Sequence, residues 1–100
     1  MTAHWILLYD YVPDYLERRG EIRGAHFEHA TAYKDRGELL MAGAFADPAD
    51  GAVLVFRADD ESVARSFAEN DPYVRNGLVT AWQVRRWKFV LGTVEGVEAR

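Results

Sequence analysis

Imidazole and carboxylate are well suited to moving a proton near neutral pH, and this sequence places one of each where local structure has little need of it. His26 falls on a helical stripe with Ile22, His29 and Tyr33, flanked by Ala25 and Ala30, that is otherwise suited to burial. Asp71 precedes Pro72, which pushes it out of the helical region, so a helix rising from Ser62 must stop near Asn70. A carboxylate at a helix C-terminus is disfavoured by about 0.3–1 kcal/mol, and Asp71 therefore gains from a donor partner. It also has a local use, as N-cap of a short turn that begins at Pro72 and closes at Asn76-Gly77. One carboxylate oxygen can cap while the other faces a pocket. Set against each other, His26 and Asp71 would form a general acid/base pair, the acid fixing the tautomer and supporting the imidazolium; the same pair can equally be a structural salt bridge.

Other candidates are weaker. His26 and His29 have the spacing of two metal ligands on one helix face, but no cysteine exists and His4 belongs at the far end of its strand, so no metal is expected. Arg23 and Arg75 suit an anionic group or a carboxylate. Tyr9, Tyr11 and Tyr73 suit either a pocket wall or ordinary packing. Gly20, Gly24 and Gly43 match no phosphate-binding fingerprint, and there is no serine elbow.

These residues need a scaffold to bring them together. His4 to Tyr11 reads as a strand with Trp5, Leu7, Tyr9 and Tyr11 on one face and Ile6 and Leu8 on the other, which predicts burial of both faces. After Pro13, Gly20 and Gly24 weaken the helical pattern, so a broken start gives way to a firm helix from about Glu21 to Arg36, stopped by Gly37. Glu38 to Phe45 and Ala52 to Arg57 form a hairpin around the turn residues of Ala46 to Gly51. Asp59 or Asp60 caps the second helix, with Val63 and Phe67 facing inward, and Val79 to Val90 makes the last strand.

The order β-α-β-β-α-β predicts an α+β, ferredoxin-like sandwich, with two helices on one face of a four-stranded antiparallel sheet. Right-handed crossovers put the start of the first helix and the end of the second at the same end of the sheet. His26, Arg23 and Asp71 thus converge, with Asp10, Tyr11 and Gly43 nearby.

Composition bounds the rest. A chain of 100 residues, 49% hydrophobic, supports one domain, expected over residues 1–92 with a loose tail at 93–100. The lack of cysteine excludes thiol chemistry and fits a cytoplasmic location, as does a start, Met1-Thr2-Ala3-His4, without a basic region ahead of an apolar run. No apolar stretch nears the ~20 residues of a membrane helix, so no membrane partner is expected. A net charge of -4 argues against nucleic acid, and Arg85-Arg86-Trp87-Lys88 reads as a solvated strand face.

The motifs Arg23-Gly24-Ala25-His26, Gly37-Glu38-Leu39-Leu40-Met41-Ala42-Gly43 and Asp71-Pro72-Tyr73-Val74-Arg75-Asn76-Gly77-Leu78 resemble those of the YciI, or YCII-related, family, and the likeness runs from the first strand to Phe89. It implies a dimeric α/β-barrel, a His–Asp pair at His26 and Asp71, and acid/base elimination or rearrangement of small cyclic compounds. Phe27 stands where the family commonly has leucine, and Ala44 where many members have proline. The expected function is a cofactor-free lyase or isomerase, catalytic through His26 and Asp71, with Arg23, Tyr9, Tyr11 and Tyr73 binding a small oxygenated ring. The alternative is a ligand-binding or accessory protein whose His–Asp pair is structural. A homodimer is expected because two helices cannot cover a first strand apolar on both faces together with the Trp82 and Trp87 sides of the last strand.

Overall fold

A continuous apolar run closed off by Pro13 produces β1, Ala3–Tyr11, in the computed structural model, which describes residues 2–94 and 97–98. The broken start resolves into a single helical turn, α1 (Tyr15–Arg18), and a 3-10 turn through Gly20 that leads into α2 (Arg23–Asp35). The helix stops at Gly37, whose φ of 79° suits glycine. There the amides of Gly37 and Glu38 bond back to the carbonyls of Lys34 and Tyr33, closing the orphan end of α2. β2 (Leu39–Ala44) and β3 (Gly51–Ala58) follow as the hairpin. Then come α3 (Ser62–Asn70), α4 (Pro72–Arg75) and β4 (Val79–Trp87).

The four strands lie in the order β2-β3-β1-β4, each antiparallel to its neighbour, as the ferredoxin-like arrangement requires. Register fixes which side chains share a face. Leu7 sits between Leu54 and Val84, and Tyr9 between Ala52 and Trp82, so these six point toward the helices. There Leu7, Phe56, Phe67 and Leu78 are fully buried. Each such side chain is worth about 1.5–3 kcal/mol relative to exposure, which makes this layer the main support of the site above it.

The opposite face differs from expectation. Ile6 and Leu8 are only half-buried within one chain, because every helix lies on the other side. β4 also ends earlier than its β-rich sequence suggests. The ladder to β1 closes at the rung between His4 and Trp87, although β1 itself begins at Ala3, and the Phe89 ring lies 5.5 Å from that of His4. The expected loose tail at 93–100 lies partly outside the described residues; within it, β5 (Thr93–Val94) and β6 (Val97–Glu98) pair as a separate two-stranded ribbon. No helix among the described residues is long and apolar enough to cross a membrane.

Candidate active site

The Asp-Pro step does two jobs at once. Asp71 ends α3 with extended backbone (ψ 125°) and caps α4, its Oδ1 accepting the Tyr73 amide at 3.0 Å. That places the carboxylate inside the helix layer with no solvent exposure. A buried charge must be matched by donors. His26 Nδ1, on the first turn of α2, lies 2.7 Å from Oδ1, and the Tyr9 hydroxyl donates to Oδ2 at 2.7 Å. An ionised carboxylate only accepts, so a charged Asp71 would require the proton on Nδ1 and leave Nε2 as the basic nitrogen. The imidazole is further held flat against Tyr73, with ring centroids 3.8 Å apart and planes 4° from parallel. Its side chain keeps 14% exposure, toward a cavity of about 250 Å³ between the helices and the β1–β2–β3 part of the sheet.

Tyr9, Tyr11, Tyr73, Arg23 and His26 all line that cavity, so the structure brings the expected residues together. Tyr9 differs in detail. Its hydroxyl is committed to Asp71, leaving only its ring to a ligand. Arg75 stays outside, bonded to the Glu69 carbonyl at 3.3 Å, because the single turn of α4 turns Tyr73 inward and Arg75 outward. His29 donates Nε2 to the Phe67 carbonyl at 2.9 Å and packs on Phe67 and Tyr33. It is a satisfied core histidine, and among the described residues no three metal-ligating side chains converge.

Two cavity residues escaped the sequence reading. Tyr15 stacks on Tyr11 at 3.7 Å and meets Tyr73 edge-on at 5.7 Å, and Arg19 lies 5.5 Å from the Tyr15 ring centroid. The signal that would have found them is a spacing of four residues: Tyr15, Arg19, Arg23 and Phe27 all line the cavity. Phe27 is half exposed, under the Arg23 guanidinium at 5.0 Å. Ala44 lines the opposite wall with Ala42 and Gly43.

Burial pushes the Tyr9 phenol well above its ordinary range, and the charge and hydrogen bond of Asp71 push it further. Tyr11 and Tyr73 rise likewise through burial and then through their hydrogen bonds to Tyr15, although Arg23 and Arg19 pull Tyr73 partly back. All three remain neutral phenols at physiological pH. In the unfolded chain they ionise near pH 10, whereas the folded chain keeps their protons. Above that pH the unfolded state therefore binds fewer protons, and stability that is fully present below pH ~10 is progressively lost as the pH rises. Denaturant midpoints between pH 8 and 11.5 should drop steeply past 10, with phenolate absorbance from these three of the five tyrosines appearing only as the chain unfolds. Ordinary titration of Tyr9, Tyr11 and Tyr73 with the fold intact would contradict the assigned burial.

Comparison with known proteins places this geometry in a family. The chain is similar in structure to the 5-chloro-2-hydroxyhydroquinone dehydrochlorinase of Burkholderia phenoliruptrix AC1100, solved in complex with 2,5-dihydroxybenzoquinone. The two share 26% identity at a TM-score of 0.71, over 85% of this chain and 93% of the other. No protein with a curated description matches the chain by sequence. The profile of the YCII-related domain matches residues 3–88, a span that includes every element from β1 to β4 and every residue lining the cavity. The chain belongs to the YCII-related domain family.

Proposed function

We propose that this protein is a cofactor-free acid/base enzyme, a lyase or isomerase acting on a small oxygenated ring, with His26 as the proton-transfer residue. The observation that carries the reading is the 2.7 Å contact between His26 Nδ1 and a fully buried Asp71, which leaves Nε2 for the cavity. Nε2 takes a proton from the substrate, and the electron pair left behind forms a new C=C or C=O bond. In an elimination the leaving group departs with its own pair; in an isomerisation the imidazolium returns the proton elsewhere. No electrons are gained or lost, so the reaction calls for no redox cofactor. Asp71 provides a counter-charge to the imidazolium and cannot swing away, because Tyr9 and the Tyr73 amide hold it.

Substrate size follows from the cavity. Its volume of about 250 Å³ is below the ~300–1,000 Å³ of sites for drug-sized ligands, and its walls are aromatic. A single ring fits, with Arg23, Tyr11 and Tyr73 as contacts. The similar dehydrochlorinase acts on a chlorinated hydroxyhydroquinone, which supports that substrate class. The test is chloride release from a chlorinated trihydroxybenzene, followed with quinone absorbance. Acceleration well above the buffer rate is expected, and none across a panel of halogenated and unhalogenated polyhydroxylated rings would reject the reading.

The open sheet face supports a second part of the proposal, a homodimer. Half-buried Ile6, Leu8 and Val53 share this face, with exposed Met41 and Trp87 at the margins. Contiguous apolar surface of this kind marks an interface. Obligate interfaces bury ~2,000 Å² or more, so light scattering at micromolar concentration should give a dimer mass. A monomer mass there would end this part of the proposal.

A further inference from the structure

The wall of the cavity carries positive charge that no carboxylate among the described residues neutralises. Arg19 is half-buried and Arg23 exposed, both line the cavity, and among the described residues neither pairs with a carboxylate. Each guanidinium is held instead on an aromatic ring, Arg19 on Tyr15 at 5.5 Å and Arg23 on Phe27 at 5.0 Å. Stacking fixes the plane of an arginine but leaves its in-plane N–H fork free to donate. No Asp or Glu lines the cavity, and Asp71 lies buried behind His26 with its oxygens taken by Tyr9, His26 and the Tyr73 amide. The tyrosines are neutral. Two fixed cations and no facing anion therefore surround the space.

We infer that the cavity takes its substrate as an anion, a planar ring bearing an ionised oxygen, with Arg19 and Arg23 forming a clamp for that oxygen. This rests on the reading of the cavity as the substrate site, and it adds Arg19 and the charge state of the ligand. The rings of Tyr11 and Tyr15 provide the apolar wall beside the clamp. The clamp and the reacting group share the cavity: Arg23 stands three residues before His26 on α2, and both line the space together with Arg19. A proton removed by Nε2 would thus leave its electron pair on a ring already held by cations, which stabilises the further negative charge that develops in the transition state. A ring enolate or phenolate and a ring carboxylate share this chemistry.

Calorimetric titration separates the possibilities with three probes of one ring each: 2,5-dihydroxybenzoquinone, whose enolic hydroxyls ionise below neutral pH, benzoate, and neutral hydroquinone. At least one anion should bind more tightly than hydroquinone, and which one does identifies the oxygen as enolate or carboxylate. Arg19→Gln and Arg23→Gln should each weaken the bound anion by about 10- to 100-fold, the loss expected for a charge-assisted hydrogen bond. Hydroquinone affinity should change by less than about 3-fold, since the packing wall remains. Added salt should weaken anion binding to the wild type and leave the double glutamine variant unmoved. Arg19→Lys with Arg23→Lys, which keeps charge and stem but loses the fork, should fall between them, and an unchanged circular dichroism spectrum shows that folding is not the cause. The affinity readout needs no turnover, so a His26 that proves dispensable for catalysis leaves the clamp standing, and the reverse holds too. Hydroquinone binding as tightly as both anions, or anion affinity unchanged in the double glutamine variant, would overturn the inference.

Discussion

Replacing His26 with alanine should lower turnover of a responsive substrate by about 10²–10⁴-fold, the usual contribution of a positioned general acid/base group. The fold should survive. His26 makes one side-chain hydrogen bond, to Asp71 Oδ1, and that oxygen keeps its bond from the Tyr73 amide when the imidazole is gone. The expected stability cost is about 1–3 kcal/mol, for a hydrogen bond to a charged group and the lost ring stack on Tyr73. Initial rates and thermal melts on the same preparation separate the two effects. His29→Ala is the control, because its ring serves the Phe67 carbonyl and does not line the cavity. A rate in the His26 variant within a few-fold of wild type would remove the imidazole from the chemistry.

Substitution of Asp71 should split stability from rate according to what replaces it. Asp71→Ala leaves the Tyr9 hydroxyl and the Tyr73 amide, both buried, without their acceptor. Each orphaned buried donor costs about 1–3 kcal/mol, so a loss of about 2–6 kcal/mol is expected from a domain whose total stability is of the order of 5–15 kcal/mol. Asp71→Asn keeps an oxygen for the Tyr73 amide, caps as well as aspartate does, and offers its NH₂ to the Tyr9 hydroxyl, which can accept. Its stability should lie within about 1–2 kcal/mol of wild type. What it lacks is the counter-charge, so its rate should fall by about 10²-fold or more. Denaturant titration and initial rates of both variants test this together. A stable alanine variant would show that the three hydrogen bonds are not the anchor they are taken to be, and a fully active asparagine variant would reduce Asp71 to a cap.

The framework of the site was legible because covalent constraints set it. Pro72 forces the extended backbone at Asp71, the helical stripe turns His26 inward, and crossover handedness brings the two to one end of the sheet. The details that depend on tertiary contact were not legible. Strand alternation puts Tyr9 on the helix face but says nothing of its hydroxyl, which finds Asp71 62 residues away. Tyr15 and Arg19 sit where Gly20 and Gly24 depress helix propensity, and the 3-10 turn between α1 and α2 breaks the 3.6-residue period by which an inward face is recognised. Arg75 lies on the same short helix as Tyr73, yet two residues further along the single turn of α4 are enough to face it away. The end of β4 was misjudged for a similar reason, since the ladder to β1 closes at the His4–Trp87 rung, a tertiary pairing that the β-rich run does not record.

The claim that His26 Nε2 is the proton acceptor can be measured without a substrate. Nitrogen-15 NMR of histidine-labelled protein at pH 8, with His26 assigned through its alanine variant, reports which ring nitrogen carries hydrogen. The 2.7 Å contact with an ionised Asp71 predicts a proton on Nδ1 and a bare Nε2. A proton on Nε2 with Nδ1 bare would leave that nitrogen nothing to accept with, and would contradict the account at its centre.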